Sequence, residues 1–308
     1  MRGPIFYAAE SAFSSQYRDL AVRKYARDED WLRKHKNFSA DEGNRTVGAI
    51  NESLNENLLA TLKTLKSTPL DQWTFLGGFT FTADDIAKKS GLPLRTVEAV
   101  LAAFQFPDDG NPTFTSLHDF NAANAYPIIK GDGDKYLLFL PVGLAEALYD
   151  TPFYWMSADA SYVDTAMKHR GLFTEEFTAE RLRRVFGAEN IFCNVDIWET
   201  KARKKKLGEI DTLVLFADRA IVAQAKSKKL TLLARKGNDL QLQTDFRGAV
   251  QDSCDQALSC SSLLLDGKAF FTDSVGNELP IPTIKHIHPL CVVSDHYPAL
   301  SFQSTTLS

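Results

Sequence analysis

The sequence predicts an α+β protein in three parts. Residues 1–70 are predicted to be a helical N-terminal region, residues 71–158 a module with two short helices joined by a turn, and residues 159–308 a C-terminal α/β/α domain. Apolar residues at helical spacing indicate the first part, and a glycine between two helical segments indicates the second. Two apolar runs around a tight turn indicate a β-hairpin in the third part. A chain of 308 residues is long enough for two or three domains.

The composition is that of an ordinary globular protein, with 44% hydrophobic and 24% charged residues. No apolar run approaches the length of a membrane span and no signal peptide opens the chain, so we expect no membrane partner. The four cysteines are scattered without a Cys-x-x-Cys pair, so the sequence indicates neither a zinc site nor a disulfide framework. We therefore expect a cytoplasmic location, where thiols stay reduced. The net charge of −4 does not exclude nucleic acid, because a local basic surface is sufficient to bind it.

The N-terminal region carries helical segments and no candidate chemistry. Residues 17–33 mix charged and apolar side chains, and residues 37–44 are predicted to be a polar connection. The next segment has apolar residues at helical spacing, namely Ile50, Leu54, Leu58, Leu59, Leu62 and Leu65. We interpret this region as an interaction or dimerisation element, or as packing for the parts that follow.

The middle module resembles a winged helix-turn-helix. Thr82 is predicted to cap the first helix, with Asp85 three residues later, and Gly91 provides the turn to a second helix. Residues 136–140 are the candidate wing or sheet strand. If the module reads DNA, the start of its second helix would present three residues to the groove: Arg95, Thr96 and Glu98. The pattern is equally compatible with a module that only packs or contacts protein.

The C-terminal part centres on a β-hairpin. Two apolar runs, residues 212–216 and residues 220–223, flank the turn at residues 217–219. Strand side chains alternate between the two faces, so Glu209 and Asp211 project the same way. Gln224 and Lys226 do likewise on the second strand.

Pairing of these two strands would gather a carboxylate, an amide oxygen and an ammonium group at one end of the hairpin. Such a set suits a hard divalent cation and the water that it polarises. The alternative is that these are solvated charges at strand ends. Lys226 argues against that alternative, because it directly follows the apolar run that ends in Gln224 and Ala225, where an unpaired ammonium is costly.

Asp211, the hairpin and the Gln-x-Lys sequence that ends it resemble the PD-(D/E)XK nuclease superfamily, in the Mrr-like variant in which Gln replaces the second acidic residue. Gln224 follows Asp211 by 13 positions, which fits that pattern. The resemblance implies a restriction-endonuclease-like fold for the C-terminal domain. It also implies that Asp211, Gln224 and the carbonyl of Ala225 bind Mg²⁺, with Mn²⁺ as an alternative, and that Lys226 positions or activates the attacking water.

A helical segment before the hairpin carries a further candidate ligand. The segment is predicted to open at Gly171 and to close at Gly187, and Glu175 lies on its apolar stripe. The resemblance implies that a glutamate on the first helix of the domain reaches the metal, and Glu175 matches that place. Glu176 and Glu180 are the second-choice candidates for this ligand. The alternative is that these acids only favour the N-terminus of the helix through its dipole.

Basic residues surround the hairpin. A strand is predicted over residues 191–198, and the loop after it contains Lys204, Lys205 and Lys206. Lys228 and Lys229 follow the hairpin. Beside a metal site, these lysines are candidates to hold a nucleic-acid backbone; the alternative is a solvated loop.

The rest of the C-terminal part predicts a long helix from about Asp245, with an apolar stripe made of Phe246, Ala249, Val250, Cys254, Ala257, Leu258 and Leu265. The resemblance makes Gln256 on this helix a candidate to support the metal ligands. The alternative, an ordinary exposed glutamine, is favoured by the sequence alone. A last strand is predicted over residues 284–293. Its two histidines, His286 and His288, are interpreted as structural rather than metal-binding.

These observations predict a Mg²⁺-dependent endonuclease that hydrolyses phosphodiester bonds in nucleic acid, with DNA as the expected substrate and restriction or genome defence as the setting. Glu209 is a candidate for a second metal ion or for a supporting role. The alternative is a non-catalytic nucleic-acid-binding regulator that uses the helix-turn-helix and carries a degenerate nuclease fold. A protein-binding scaffold is a third hypothesis. A homodimer is expected from the resemblance alone.

Overall fold

A computed structural model of the protein describes residues 12–116, 119–227 and 239–294. The fold is mixed α and β, with two sheets. The chain divides into two compact units, one within Glu10–His169 and one within Arg170–Ser308. The helical region and the middle module, which the sequence separates at residue 70, therefore lie in one unit. In the part of the chain that is described, no helix is both long enough and apolar enough to cross a membrane.

The N-terminal unit opens with three helices, α1 (Ser14–Lys24), α2 (Glu29–Lys36) and α3 (Ala40–Leu65). Asn37 ends α2 in the left-handed conformation, with φ of 62°. Ser39 then caps α3 by accepting a hydrogen bond from the backbone N–H of Glu42, whose side chain caps in return. The polar connection predicted over residues 37–44 is thus limited to a tight turn, because this capping box starts the helix at Ala40.

The apolar stripe predicted on α3 is confirmed at Ile50, Leu54 and Leu65, which are buried, and is wrong at Leu59 and Leu62, which are 60% and 43% exposed. Ile50 and Leu54 belong to one core that also contains residues of the middle module, among them Phe81, Val97, Phe104, Leu144 and Leu148. This shared core is the physical reason that the two predicted parts form a single unit.

The middle module contains β1 (Thr80–Thr82), α4 (Ala83–Ser90), α5 (Leu94–Ala103), β2 (Ile129–Lys130), β3 (Lys135–Leu137) and α6 (Pro141–Ser157). The three strands form an antiparallel sheet in the order β1-β3-β2. Thr82 caps α4 by accepting a hydrogen bond of 3.2 Å from the N–H of Asp85. Gly91 makes the turn after α4 with φ of 66°. Both of these predictions are confirmed.

Two details of this module differ from the predictions. The strand predicted over residues 136–140 is shifted, because β3 ends at Leu137 and the chain then turns into α6. Thr96 is buried among the core residues of α5, so it is not available to face a groove. Arg95 and Glu98 are exposed on that helix.

The helix that carries Glu175 is α7 (Val163–Phe186). It begins eight residues before Gly171, where the sequence predicted its start. A single glycine inside a helix costs only about 1 kcal/mol relative to alanine, so the helical residues on either side continue through it. Gly187 ends the helix as predicted, with φ of 86°.

The second sheet has five strands: β4 (Ile191–Trp198), β5 (Lys206–Phe216), β6 (Arg219–Lys226), β7 (Phe270–Thr272) and β8 (His286–Val293). Their order is β7-β4-β5-β6-β8, in which β8 runs parallel to β6 and the other pairs are antiparallel. β4 has the predicted bounds, and the β5–β6 hairpin is confirmed with its turn at Ala217 and Asp218. The last strand begins two residues later than predicted.

Two helices, α8 (Asp239–Phe246) and α9 (Asp252–Asp266), are joined by a π-helical turn over Arg247–Gln251. The predicted stripe is wrong at Leu258 and Leu265, which are 54% and 57% exposed. The buried face of α9 instead consists of small residues and one leucine, namely Ser253, Ala257, Cys260, Ser261 and Leu264. Small side chains let α9 approach the sheet closely, whereas the larger leucines remain outside the contact.

The backbone at Gly187 yields a test of this fold. Its φ of 86° and ψ of 149° lie in a region that essentially only glycine occupies, so we expect Gly187→Ala to lower the free energy of unfolding by about 1–3 kcal/mol. Gly267→Ala is the matched control, because Gly267 is left-handed with φ of 66° and a Cβ there would meet no described atom within 4 Å. Its expected cost is about 1 kcal/mol. Equal losses of unfolding free energy in the two variants, measured by urea denaturation, would contradict the strain assigned to Gly187.

Candidate metal centre at the open end of the hairpin

The candidate site lies where the backbone pairing of β5 with β6 ends. The paired residues run from Phe216 and Arg219 at the turn to Thr212 and Ala223. Beyond that point, two side chains connect the strands. Asp211 Oδ2 accepts a hydrogen bond of 2.7 Å from the N–H of Ala225, and Gln224 Nε2 donates one of 2.7 Å to the carbonyl of Glu209. The motif residues therefore hold the open end of the hairpin together.

Gln224 is fully buried, with 0% of its surface exposed. Its amide nitrogen is satisfied by the carbonyl of Glu209, but its amide oxygen has no hydrogen-bond partner among the described residues. A buried polar atom without a partner costs about 1–3 kcal/mol, so such atoms are rare in folded proteins. The unpartnered oxygen belongs to the residue that the sequence predicts as a metal ligand.

The carbonyl oxygen of Glu209 accepts hydrogen bonds from three side chains. Besides Gln224, it lies 3.4 Å from Gln256 Nε2 and 3.5 Å from the thiol sulfur of Cys260, both on α9. Gln256 therefore contacts the backbone of β5 beside the candidate site, and its supporting role stays a prediction. Cys260 was not predicted, although its spacing of four residues from Gln256 places both on one face of a helix. A Cβ at Gly208 would lie 3.2 Å from the Cys260 sulfur, so the glycine permits this close contact.

Glu175 and Asp211 are both partly buried acids. Burial raises the pKa of Glu175, and the negative charges of Asp211 and Glu209 raise it further, while Lys226 opposes the shift. Burial also raises the pKa of Asp211, and the N–H of Ala225 and the charge of Lys226 lower it in part. The structure thus brings these groups within electrostatic range of one another, as the sequence predicts.

The position of Glu175 in its helix excludes the helix-dipole explanation for this residue. Because α7 begins at Val163, Glu175 lies twelve residues from the start of the helix. The helix dipole acts within the first turn only, so it does not explain a glutamate there. Glu176 is exposed on the next face, and Glu180 forms an ion pair of 2.7 Å with Arg184.

The predicted basic residues have different surroundings. Lys204 is exposed, and Lys205 pairs with Glu199 at 3.0 Å. The ammonium of Lys206 pairs with two carboxylates, and its assignment to nucleic-acid contact stays a prediction. Lys228 and Lys229 lie outside the described residues. Arg95 belongs to the N-terminal unit.

The donor set fits a hard cation. Glu175, Asp211, Gln224 and the carbonyl of Ala225 offer only oxygen ligands, which Mg²⁺ and Mn²⁺ prefer. Within the described ranges, no group of three or more His, Cys, Asp or Glu side chains is arranged to hold a metal, and the candidate set contains only two such side chains. His286 and His288 are exposed on β8 and pair with Arg219 and Ile221, near the turn of the hairpin.

The sequence matches no known protein family, and comparison with curated proteins and with solved structures finds no match either. The inference of function therefore rests on the residues and geometry of the site.

The raised pKa of Asp211 predicts a change of stability with pH. A carboxyl whose pKa is higher in the folded than in the unfolded state loses stability as the pH rises above the ordinary pKa of 3.8. Asn at this position keeps an oxygen for the N–H of Ala225 but carries no charge. In EDTA, we expect Asp211→Asn to unfold at a higher urea concentration than the unmodified protein at pH 7, and the difference to shrink toward pH 4.

Asp218→Asn, at the turn of the same hairpin, is the control for this experiment. Burial raises the pKa of Asp218, but the hydrogen bond and charge of Lys285, a backbone hydrogen bond and the charge of Arg219 together outweigh it, so the pKa is lowered. Loss of this charge should therefore change stability in the opposite direction, by a small amount because the pair is exposed. A change of stability in the same direction in both variants would contradict the assigned electrostatics.

Proposed function

We propose that the protein is a metal-dependent nuclease that hydrolyses phosphodiester bonds in nucleic acid, with DNA as the expected substrate. The observation that carries the proposal is the buried, unpartnered amide oxygen of Gln224, next to Asp211 at the open end of the hairpin. Glu175 lies within electrostatic range of both Asp211 and Lys226. This combination agrees with the resemblance to PD-(D/E)XK nucleases.

Each group has a proposed role. Asp211 and Glu175 would hold Mg²⁺ or Mn²⁺ together with Gln224 Oε1 and the carbonyl of Ala225. When bound, the ion supplies Lewis-acid polarisation of the scissile phosphate and a more acidic water. Asp211 uses Oδ2 for the N–H of Ala225, which fixes the carboxylate and leaves Oδ1 for the cation. The ammonium of Lys226 would orient the attacking water and balance charge on the phosphate.

The electrostatics of the site support cation loading. Burial and mutual repulsion raise the pKa values of Glu175 and Asp211, so the charged forms of both carboxyls are disfavoured in the protein alone. A divalent cation relieves this repulsion. Because only the deprotonated carboxyls bind it, affinity should rise with pH over a range that lies above the ordinary titration of acidic residues.

Cleavage assays test the proposal directly. We expect purified protein to nick plasmid or cut single-stranded DNA with Mg²⁺ or Mn²⁺ and to be inactive in EDTA. Asp211→Ala and Lys226→Ala should each lower the rate at least about 100-fold, because each removes a group that acts on the reacting atoms. Asp218→Ala, on the same hairpin but at its turn, should retain the activity.

Cutting that survives Asp211→Ala and Lys226→Ala would contradict the assigned site. DNA binding with no cleavage under any of these conditions would favour the second candidate, a regulator that binds nucleic acid through the middle module. The observation that favours this candidate is the arrangement of α4, the turn at Gly91, α5 and the β2–β3 hairpin, which resembles a winged helix-turn-helix. Absence of any nucleic-acid affinity at low salt would favour a protein-binding scaffold.

The role of the middle module can be measured separately in the Asp211→Ala protein, which binds without cutting. If α5 reads DNA, Arg95→Ala should weaken binding by about 1–3 kcal/mol at the preferred sequence, in a gel-shift titration at fixed salt. Lys66→Ala removes the same charge from an exposed residue after α3 and is the matched control. Equal effects of the two substitutions would show that α5 makes no specific contact.

A further inference from the structure

Beside the candidate site, one ammonium group joins two carboxylates. Lys206 Nζ lies 2.6 Å from Asp196 Oδ1 and 2.7 Å from Glu209 Oε2. Asp196 and Glu209 are directly paired residues of the antiparallel strands β4 and β5. Two like charges in such a pair repel each other, and the ammonium between them offsets this repulsion.

This second cluster is continuous with the candidate site. Glu209 lies two residues from Asp211 on β5, and strand alternation puts both side chains on one face. The charge of Glu209 raises the pKa of both Asp211 and Glu175, after the larger effect of burial in each case. Glu209 therefore acts on the proposed metal ligands although its carboxylate is bound to Lys206.

The formal charges of the combined cluster favour a single divalent ion. Its carboxylates are Glu175, Asp196, Glu209 and Asp211, and its ammonium groups are Lys206 and Lys226. Four negative and two positive groups leave a formal charge of −2, which one divalent cation neutralises. A second divalent cation would bring the formal charge to +2 with Lys206 in place and to +1 if Lys206 moved away.

We propose that the ammonium of Lys206 occupies the place of a second cation, between Asp196 and Glu209, so that the site loads one divalent ion rather than two. This inference rests on the nuclease function proposed above and specifies its metal stoichiometry. In two-metal nuclease sites, the ions lie about 3.5–4 Å apart and share carboxylates. Here the residue with which a second ion would pair most directly, Glu209, already has a fixed positive partner.

The charge state of Lys206 supports this role. Burial lowers its pKa, but the hydrogen bonds and charges of Asp196 and Glu209 outweigh burial, so the pKa is raised above its usual value. Lys206 therefore stays protonated at every pH at which a carboxylate site functions. All three side chains are also 31–41% exposed, so the cluster is accessible to ions and contributes little to stability. A substitution at Lys206 should not unfold the protein.

The test is a titration of the full chain with Mn²⁺. Binding is measured by calorimetry and by the loss of the electron paramagnetic resonance signal of the free ion. The unmodified protein should bind one Mn²⁺ ion. Lys206→Gln should bind two ions, and Lys206→Arg, which keeps the charge, should bind one. Asp211→Asn should bind none, and the double variant Lys206→Gln with Asp211→Asn should bind one. Lys201→Gln is the matched control, because Lys201 lies in the loop just before β5 and pairs with Glu278 at 2.7 Å in an exposed ion pair.

The outcomes separate the two proposals. One ion in both the unmodified protein and Lys206→Gln, lost in Asp211→Asn, would overturn the role of Lys206 and leave the metal site intact. Two ions in the unmodified protein would also overturn it. No Mn²⁺ bound by the unmodified protein would overturn the proposed metal site itself, and with it the inference about Lys206. A gain of one site in Lys206→Gln, absent from Lys206→Arg and Lys201→Gln, supports the inference.

Discussion

The hydrogen bond from the N–H of Ala225 to the carboxylate of Asp211 is the interaction on which the geometry of the candidate site depends. It forms where the backbone pairing of β5 with β6 ends, so a side chain replaces a carbonyl as the acceptor for that N–H. The second link, from the amide of Gln224 to the carbonyl of Glu209, lies beside it. Together these bonds fix the positions of two proposed ligands relative to the strands, without any contribution from a bound ion.

The site is arranged at a cost to stability that the rest of the C-terminal unit offsets. Gln224 buries an oxygen without a described partner, and Asp211 and Glu175 ionise against burial and each other. The sheet and the close packing of α9 supply the compensating burial of apolar surface. Lys206 limits the cost by neutralising Asp196 and Glu209. Such local conflicts within a well-packed frame are typical of functional sites.

The sequence was sufficient to predict the local features of the fold and the identity of the proposed ligands. The hairpin, β4 and the cap at Thr82 follow from alternation, turn residues and capping chemistry over short distances. The start of α7 and the exposure of Leu258 were not predicted, because tertiary packing overrides a single glycine or a single leucine. The ion pairs of Lys206 and the contact of Cys260 depend on strand register and on helix placement. Neither can be obtained from residues that are close in sequence.

The parallel pairing of β6 with β8 has a consequence for the order in which the C-terminal unit folds during synthesis. Gln224 is paired in register with Cys291, which the ribosome adds 67 residues later. The strand that carries Gln224 and Lys226 therefore stays an unpaired sheet edge on that side until β8 has been made and has docked. Contacts of such long sequence separation form late in folding. The surroundings of Gln224 are thus completed only after the C-terminal strand is in place.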